Sequence, residues 1–249
     1  MSTPTQPPLQ ESDSSPTAPA GGFPRQAGKP REGRSRAFTS WVVQVSREDP
    51  GARSALRSGL RKDLDSVRRM HRLVAPWLPE SRSEDTERAY YTVAAMIAAQ
   101  PRSAMAVPEG TAESPEQPDA DKSPAAKARR RRASLGTAFA TAVTEGPGRE
   151  KEMRTGTAES RLNLLTRQSV NGLHRHLPGT VGYLCSVGVD VDWAQILDDL
   201  SNWRKDSGRI SRTWLQDFYR ARDRDLARRA DEADEQDLAV EAATASAVS

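Results

Sequence analysis

One cysteine, Cys185, among 249 residues excludes an internal disulfide framework and a cysteine-based zinc site. Histidine is almost as scarce, and His174 and His176 lie two apart, on different faces of any helix, so they are poor joint metal ligands. No long apolar run is present either. The longest, Val93 to Ala99, falls far short of the roughly 18–20 residues that a membrane span needs. The Pro/Ser/Thr/Gln-rich beginning lacks the basic start and apolar stretch of a secretory signal. Also missing are G-x-S-x-G, G-x-x-x-x-G-K-[ST], H-E-x-x-H and G-x-G-x-x-G, which leaves no recognisable enzyme motif. These absences predict a soluble, cytoplasmic, non-enzymatic chain with no membrane partner, no metal and no cofactor.

Bases are absent from residues 231–249, which carry six acids. Residues 1–230 then hold 37 bases against 28 acids, and arginine supplies most of them. The guanidinium fork pairs bidentately with phosphate oxygens, so this excess suits a nucleic-acid backbone as well as an ordinary charged surface. Two arginine groups lie off the apolar stripes. Arg53, Arg57 and Arg61 repeat every four residues along one helix face. Arg129, Arg130, Arg131, Arg132, Arg149, Lys151, Arg154, Arg161 and Arg167 cluster in the middle third, with Arg175 beyond them and Glu145, Glu150, Glu152 and Glu159 interspersed.

Hydrophobic periodicity predicts an all-α bundle in two blocks. Residues 1–36, with seven prolines, read as a disordered extension. Block 37–101 starts with Phe38, Trp41, Val42 and Val45 at helical spacing, and Asp49-Pro50 reads as N-cap and first-turn proline of a second helix. Val67, Met70, Val74 and Trp77 mark a third helix, and Glu84 to Gln100 a fourth. Residues 102–133 read as a mobile insertion. Block 134–225 follows, with helices marked by Leu135 to Ala142, by Leu162, Leu165 and Ser169, and by Leu173 to Leu184, the last kinked or split at Pro178-Gly179. Asp192 caps the next helix, Gln195 is placed for a capping box, and Trp193, Ile196, Leu197, Leu200 and Trp203 form its apolar stripe. Asp198 and Asp199 read as its solvated face. Ile210, Trp214 and Phe218 define the last core helix, and 226–249 forms an acidic tail. Cys185 and the stripe tryptophans read as core.

The order of these segments resembles one family. Ala89-Tyr90-Tyr91-Thr92-Val93-Ala94-Ala95, Ser134-Leu135-Gly136, Arg161 with Leu165, and His176-Leu177 carry the resemblance. So does the ending Val191-Asp192-Trp193, Leu197-Asp198-Asp199-Leu200, Trp203, Trp214 and Asp217-Phe218-Tyr219. The family is CasB, the small subunit of the type I-E CRISPR surveillance complex, Cascade, and the resemblance covers about residues 38 to 222. It implies an all-helical, non-catalytic subunit, present as a pair, that contacts the guide CRISPR RNA filament, the backbone and large subunits, and the displaced non-target strand of target DNA. Arg53, Arg57, Arg161 and Arg167 match the family's basic surface. Thr137 and Ser160 stand where relatives often carry a base, and Pro178-Gly179 interrupts a helix expected to be continuous. The rival readings are a free-standing helical DNA-binding regulator and an adaptor whose arginines bridge to protein.

Overall fold

Phe38 and Val42, four residues apart and fully buried, set the inner face of the first helix, α1 (Arg31–Glu48). The computed structural model describes residues 31–101, 133–144 and 153–247, so the expectations for residues 1–30, 102–132 and 145–152 lie outside it. α1 begins at Arg31, ahead of the predicted boundary at 37. Its first turns are anchored by polar side chains that an apolar pattern does not register. Buried Ser35 donates to Asp198 Oδ1 at 2.6 Å, and Thr39 donates back to the Ser35 carbonyl at 3.0 Å.

Asp49 ends α1 and starts α2 (Pro50–Arg57). Its carboxylate accepts from the amides of Gly51 (2.7 Å) and Ala52 (2.9 Å), and Pro50 takes the first position, where no amide is needed. The third predicted helix is more broken than its pattern. It consists of 3-10 turns at Leu64–Ser66, Arg68–Met70 and Ala75–Trp77, with a single α-turn, α3 (His71–Val74), between the last two. Pro76 has no amide to continue the ladder, and the tighter turns still bring Val67, Met70, Val74 and Trp77 to one face.

α4 (Glu84–Ala99) is the central rod. Ser83 caps it, Glu84, Asp85 and Glu87 face its positive end, and Ala89 to Ala98 are buried except Thr92. After the undescribed 102–132, α5 (Leu135–Val143) is capped by Ser134, α6 (Thr155–Thr166) follows Arg154, and α7 (Val170–Ser186) is capped by Ser169. α7 continues through Pro178 as one helix, so of the kink or split expected there the split does not occur, and Pro178 is buried. It ends where Gly188 takes φ 75° and the amide of Val189 reaches back to the Leu184 carbonyl at 3.1 Å, a Schellman closure.

α8 (Trp193–Ala247) is interrupted at Asp206, whose backbone is non-helical. Trp214 Nε1 donates to Asp199 at 2.8 Å, and the rings of Trp203 and Trp214 lie 5.1 Å apart. Along a straight helix the 15 residues from 199 to 214 would span about 22 Å, so the two arms of α8 fold back on each other at Asp206. Trp203 Nε1 also donates to the Gln168 carbonyl at 3.0 Å, and Ser211 donates to the Thr166 carbonyl at 3.2 Å, which fastens both arms to the α6–α7 turn.

The two predicted blocks share one core, because α8 packs against α1 and α4 from the first block and against α5 and α6 from the second. Asp192 caps α8 through the Gln195 amide (2.9 Å), but the Gln195 side chain turns forward to Asp199 and leaves the capping box half made. Asp199 is therefore no solvated residue. It is buried, and desolvation pushes its carboxyl up to about 6 against the lowering effect of its hydrogen bonds from Trp214 and Gln195. Trp203, Trp214 and Phe218 are core as predicted, while Trp41 and Trp193 are half-buried at its rim. All described regular structure is helical.

Candidate nucleic-acid interface

The first predicted arginine group divides in the structure. Arg53 is half-buried, with Nε donating to the Ala98 carbonyl at 3.1 Å and Nη2 to the Gln100 carbonyl at 2.6 Å. It caps the C-terminal end of α4, where free carbonyls and the helix dipole favour a cation. Arg57, one turn later, is exposed. With Arg53, Ser54, Ser58 and Arg69 it lines an open groove of about 490 Å³.

Arg61 follows α2 in the left-handed region, φ 60°, the one non-glycine residue with positive φ among those described. A side chain there is strained, and the conformation aims Arg61 at α7. Its Nη2 lies only 3.1 Å from where a Cβ on Gly179 would stand, so Gly179 leaves the space that the guanidinium occupies. One turn further along α7, Arg161 from α6 stacks its guanidinium 4.6 Å over the Tyr183 ring. Gly179 and Tyr183 are i, i+4 neighbours, and exposed Arg175 precedes them by the same interval. Arg61 and Arg161, a hundred positions apart in sequence, thus meet on one stripe of α7.

Arg154 and Arg167, both exposed, bracket α6 at its two caps, about 20 Å apart by helical rise. Arg129, Arg130, Arg131, Arg132, Arg149 and Lys151 lie outside the described residues. Among the described residues no carboxylate pairs with Arg57, Arg61, Arg69, Arg154, Arg161, Arg167 or Arg175. By contrast, Arg222, Arg228 and Arg229 on the second arm of α8 are bound to Glu159, Asp225 and Glu232. Arginines without acidic partners keep their full charge for an external anion. The groove and the α7 stripe offer guanidinium forks to phosphate oxygens, an arrangement suited to a backbone rather than to base edges.

Sequence reasoning passed over Arg69, Tyr183 and the role of Gly179. The spacing of Arg175, Gly179 and Tyr183 was the available signal, masked by reading Pro178-Gly179 as a break. His174 and Cys185 do not enter the interface chemistry. His174 is buried with Nδ1 on Thr92 Oγ1 at 2.9 Å, and desolvation, helped by nearby Arg88, lowers its imidazole to about 4. Burial pushes the Cys185 thiol up to about 11, which keeps it protonated. No cluster of metal-ligating side chains occurs among the described residues, and none of the described helices is long and apolar enough to cross a membrane.

The family model of the CRISPR-associated protein Cse2 matches residues 52–219. The chain belongs to the Cse2 family, also called CasB. A chain of a CRISPR RNA-guided surveillance complex is 33% identical, with a TM-score of 0.64, and the match covers 81% of this chain and 99% of that one. A chain of such a complex in a pre-nicking state is 34% identical, with a TM-score of 0.64, covering 80% and 98%. CasB from M. ruber shares the fold at 20% identity and a TM-score of 0.55, covering 78% of this chain and 97% of its own. No curated protein matches the chain. The Cse2 match takes in Arg53, Arg57, Arg61, Arg154, Arg161 and Arg167, and it closes at Tyr219, ahead of the acidic tail.

Proposed function

We propose that this Cse2-family chain is the non-catalytic small subunit of a type I-E CRISPR surveillance complex, acting in the cytoplasm in antiviral defence. Its partners on this reading are the guide RNA, the backbone and large subunits, and a second copy of itself. It binds nucleic-acid backbone without sequence preference and steadies the displaced non-target strand while guide pairing supplies specificity. The observation that supports the reading is the placement of Arg61 and Arg161 along one stripe of α7, both without acidic partners among the described residues, together with the exposed groove around Arg57.

The test is Arg57→Glu combined with Arg167→Glu. Both side chains are exposed and make no contact that the fold needs, so stability should stay within about 0.5 kcal/mol of the parent. The double variant should assemble with guide RNA and the other subunits, and leave the displaced strand more reactive to permanganate. Failure to join the complex at all would make these arginines protein contacts, and the adaptor reading would replace this one.

A further inference from the structure

A second cation-bearing cavity lies at the other end of α4. Thr86 borders it, twelve residues and about 18 Å of helix from the Ala98 carbonyl that Arg53 caps. The cavity, about 370 Å³, is enclosed by the start of α1, the approach to α4 and the first arm of α8. That volume falls within the roughly 300–1,000 Å³ typical of small-ligand pockets and is more than a lone carboxylate would fill.

Its lining divides by chemistry. Arg34 and Lys205 supply charge from two different elements of the lining, α1 and α8. Among the described residues neither has a carboxylate partner, and Ser81 makes no side-chain hydrogen bond. Asn202 donates from Nδ2 to the Asp198 carbonyl at 2.7 Å, which leaves its Oδ1 as an acceptor. Pro79 and Tyr90 add apolar surface. Asp198 also borders the cavity, with its carboxylate engaged by Ser35. Two cations, free hydroxyl and amide groups and an apolar wall fit a ligand with an anionic end and a flat, hydrogen-bonding body. Arg34 and Ser35 lie outside residues 52–219, so the α1 part of this cavity comes from sequence that the Cse2 model does not match.

We infer that this cavity seats one phosphorylated nucleoside, its phosphate between Arg34 and Lys205 and its base against Pro79 and Tyr90. Paired cations recognise phosphate, and Ser81 and Asn202 meet sugar or base polar groups. The ligand is either a free nucleotide or one residue of a single strand.

Titration calorimetry on the full chain tests this with cytidine 5′-monophosphate, cytidine and inorganic phosphate. The monophosphate should bind at least tenfold more tightly than either fragment. Arg34→Ala and Lys205→Ala should each weaken it at least tenfold, and Arg47→Glu, an exposed change on α1 outside the cavity and the candidate interface, should leave it unchanged. Lys205 is exposed, so Lys205→Ala should also keep the parental melting temperature. Phosphate binding as tightly as the nucleotide, or indifference to both alanine variants, would overturn the seat. A six-nucleotide cytidine strand that displaces the monophosphate assigns the seat to a strand, and failure to displace it assigns the seat to free nucleotide. Both outcomes uphold the seat. Because the chain is tested alone, a negative result leaves the strand-holding reading standing.

Discussion

Gly136→Ala adds one methyl group where α5 crosses the second arm of α8 backbone against backbone. An alanine Cβ there would stand 1.8 Å from the Trp214 carbonyl oxygen, 2.6 Å from its carbon and 2.9 Å from its Cα. All three are backbone atoms, so no side chain can rotate aside. Restoring an ordinary contact of 3.4 Å requires α5 and the second arm of α8 to part by about 1.6 Å. That would loosen Leu135, Phe139, Trp214 and Phe218 together, all of them buried. Overpacking of this kind costs up to about 3 kcal/mol, and alanine recovers about 1 kcal/mol of helix propensity over glycine. The net loss is about 2 kcal/mol. For a domain of this size it lowers the melting temperature by about 4–8 °C. Thermal denaturation followed by circular dichroism reads it, with Gly182→Ala as control, since a Cβ at Gly182 meets nothing within 4 Å. The control should be neutral or slightly stabilising. If Gly136→Ala melts at or above the parent, the close backbone crossing is not what glycine serves there.

His174 and Asp199 should give opposite pH slopes. The lowered His174 pKa makes its stabilising contribution full above about 6.5 and lost as pH falls towards 4, whereas the raised Asp199 pKa makes its contribution full below 3.8 and lost as pH rises through 6. In urea titrations His174→Gln should gain on the parent on acidification and Asp199→Asn on alkalinisation, each by about 3 kcal/mol at most, and parallel stability curves would refute both assignments. Trp214→Ala should cost about 3–5 kcal/mol. Trp214→Phe should cost about 1–3 kcal/mol above pH 6 and less at pH 4, where Asp199 is protonated; a pH-independent loss would argue against the Asp199 bond. Single-strand binding through about five phosphates should give a slope of log K against log salt near −3.5, and a flat response would exclude backbone binding.

Helix starts were legible where their chemistry is local: Asp49, Ser134 and Asp192 each cap with their own side chain, whereas Ser169, which reads as part of the preceding helix, caps α7 instead. Apolar stripes likewise identified Phe38, Val42, Trp203, Trp214 and Phe218 as core. Polar residues whose partners are distant in sequence were not legible. Asp199 looks solvated until α8 folds back and delivers Trp214 to it. Arg53 looks like surface charge until the end of α4 arrives beneath it. Pro178-Gly179 reads as a break because local propensity says nothing of the guanidinium that occupies the space beside Gly179. Ser35 and Thr39 concealed the true start of α1 for the same reason.

The position of α8 also sets a timetable for synthesis. α4 is complete at Ala99, yet α8, one of the helices that covers it, begins at Trp193 and reaches Phe218 more than a hundred residues later. At about 5–20 residues per second, the ribosome leaves that apolar face waiting about 5–20 s for its cover. A chain halted at residue 190 should therefore bind a hydrophobic dye that the finished protein ignores. Slow codons between 102 and 192 would lengthen the exposure without altering a single residue.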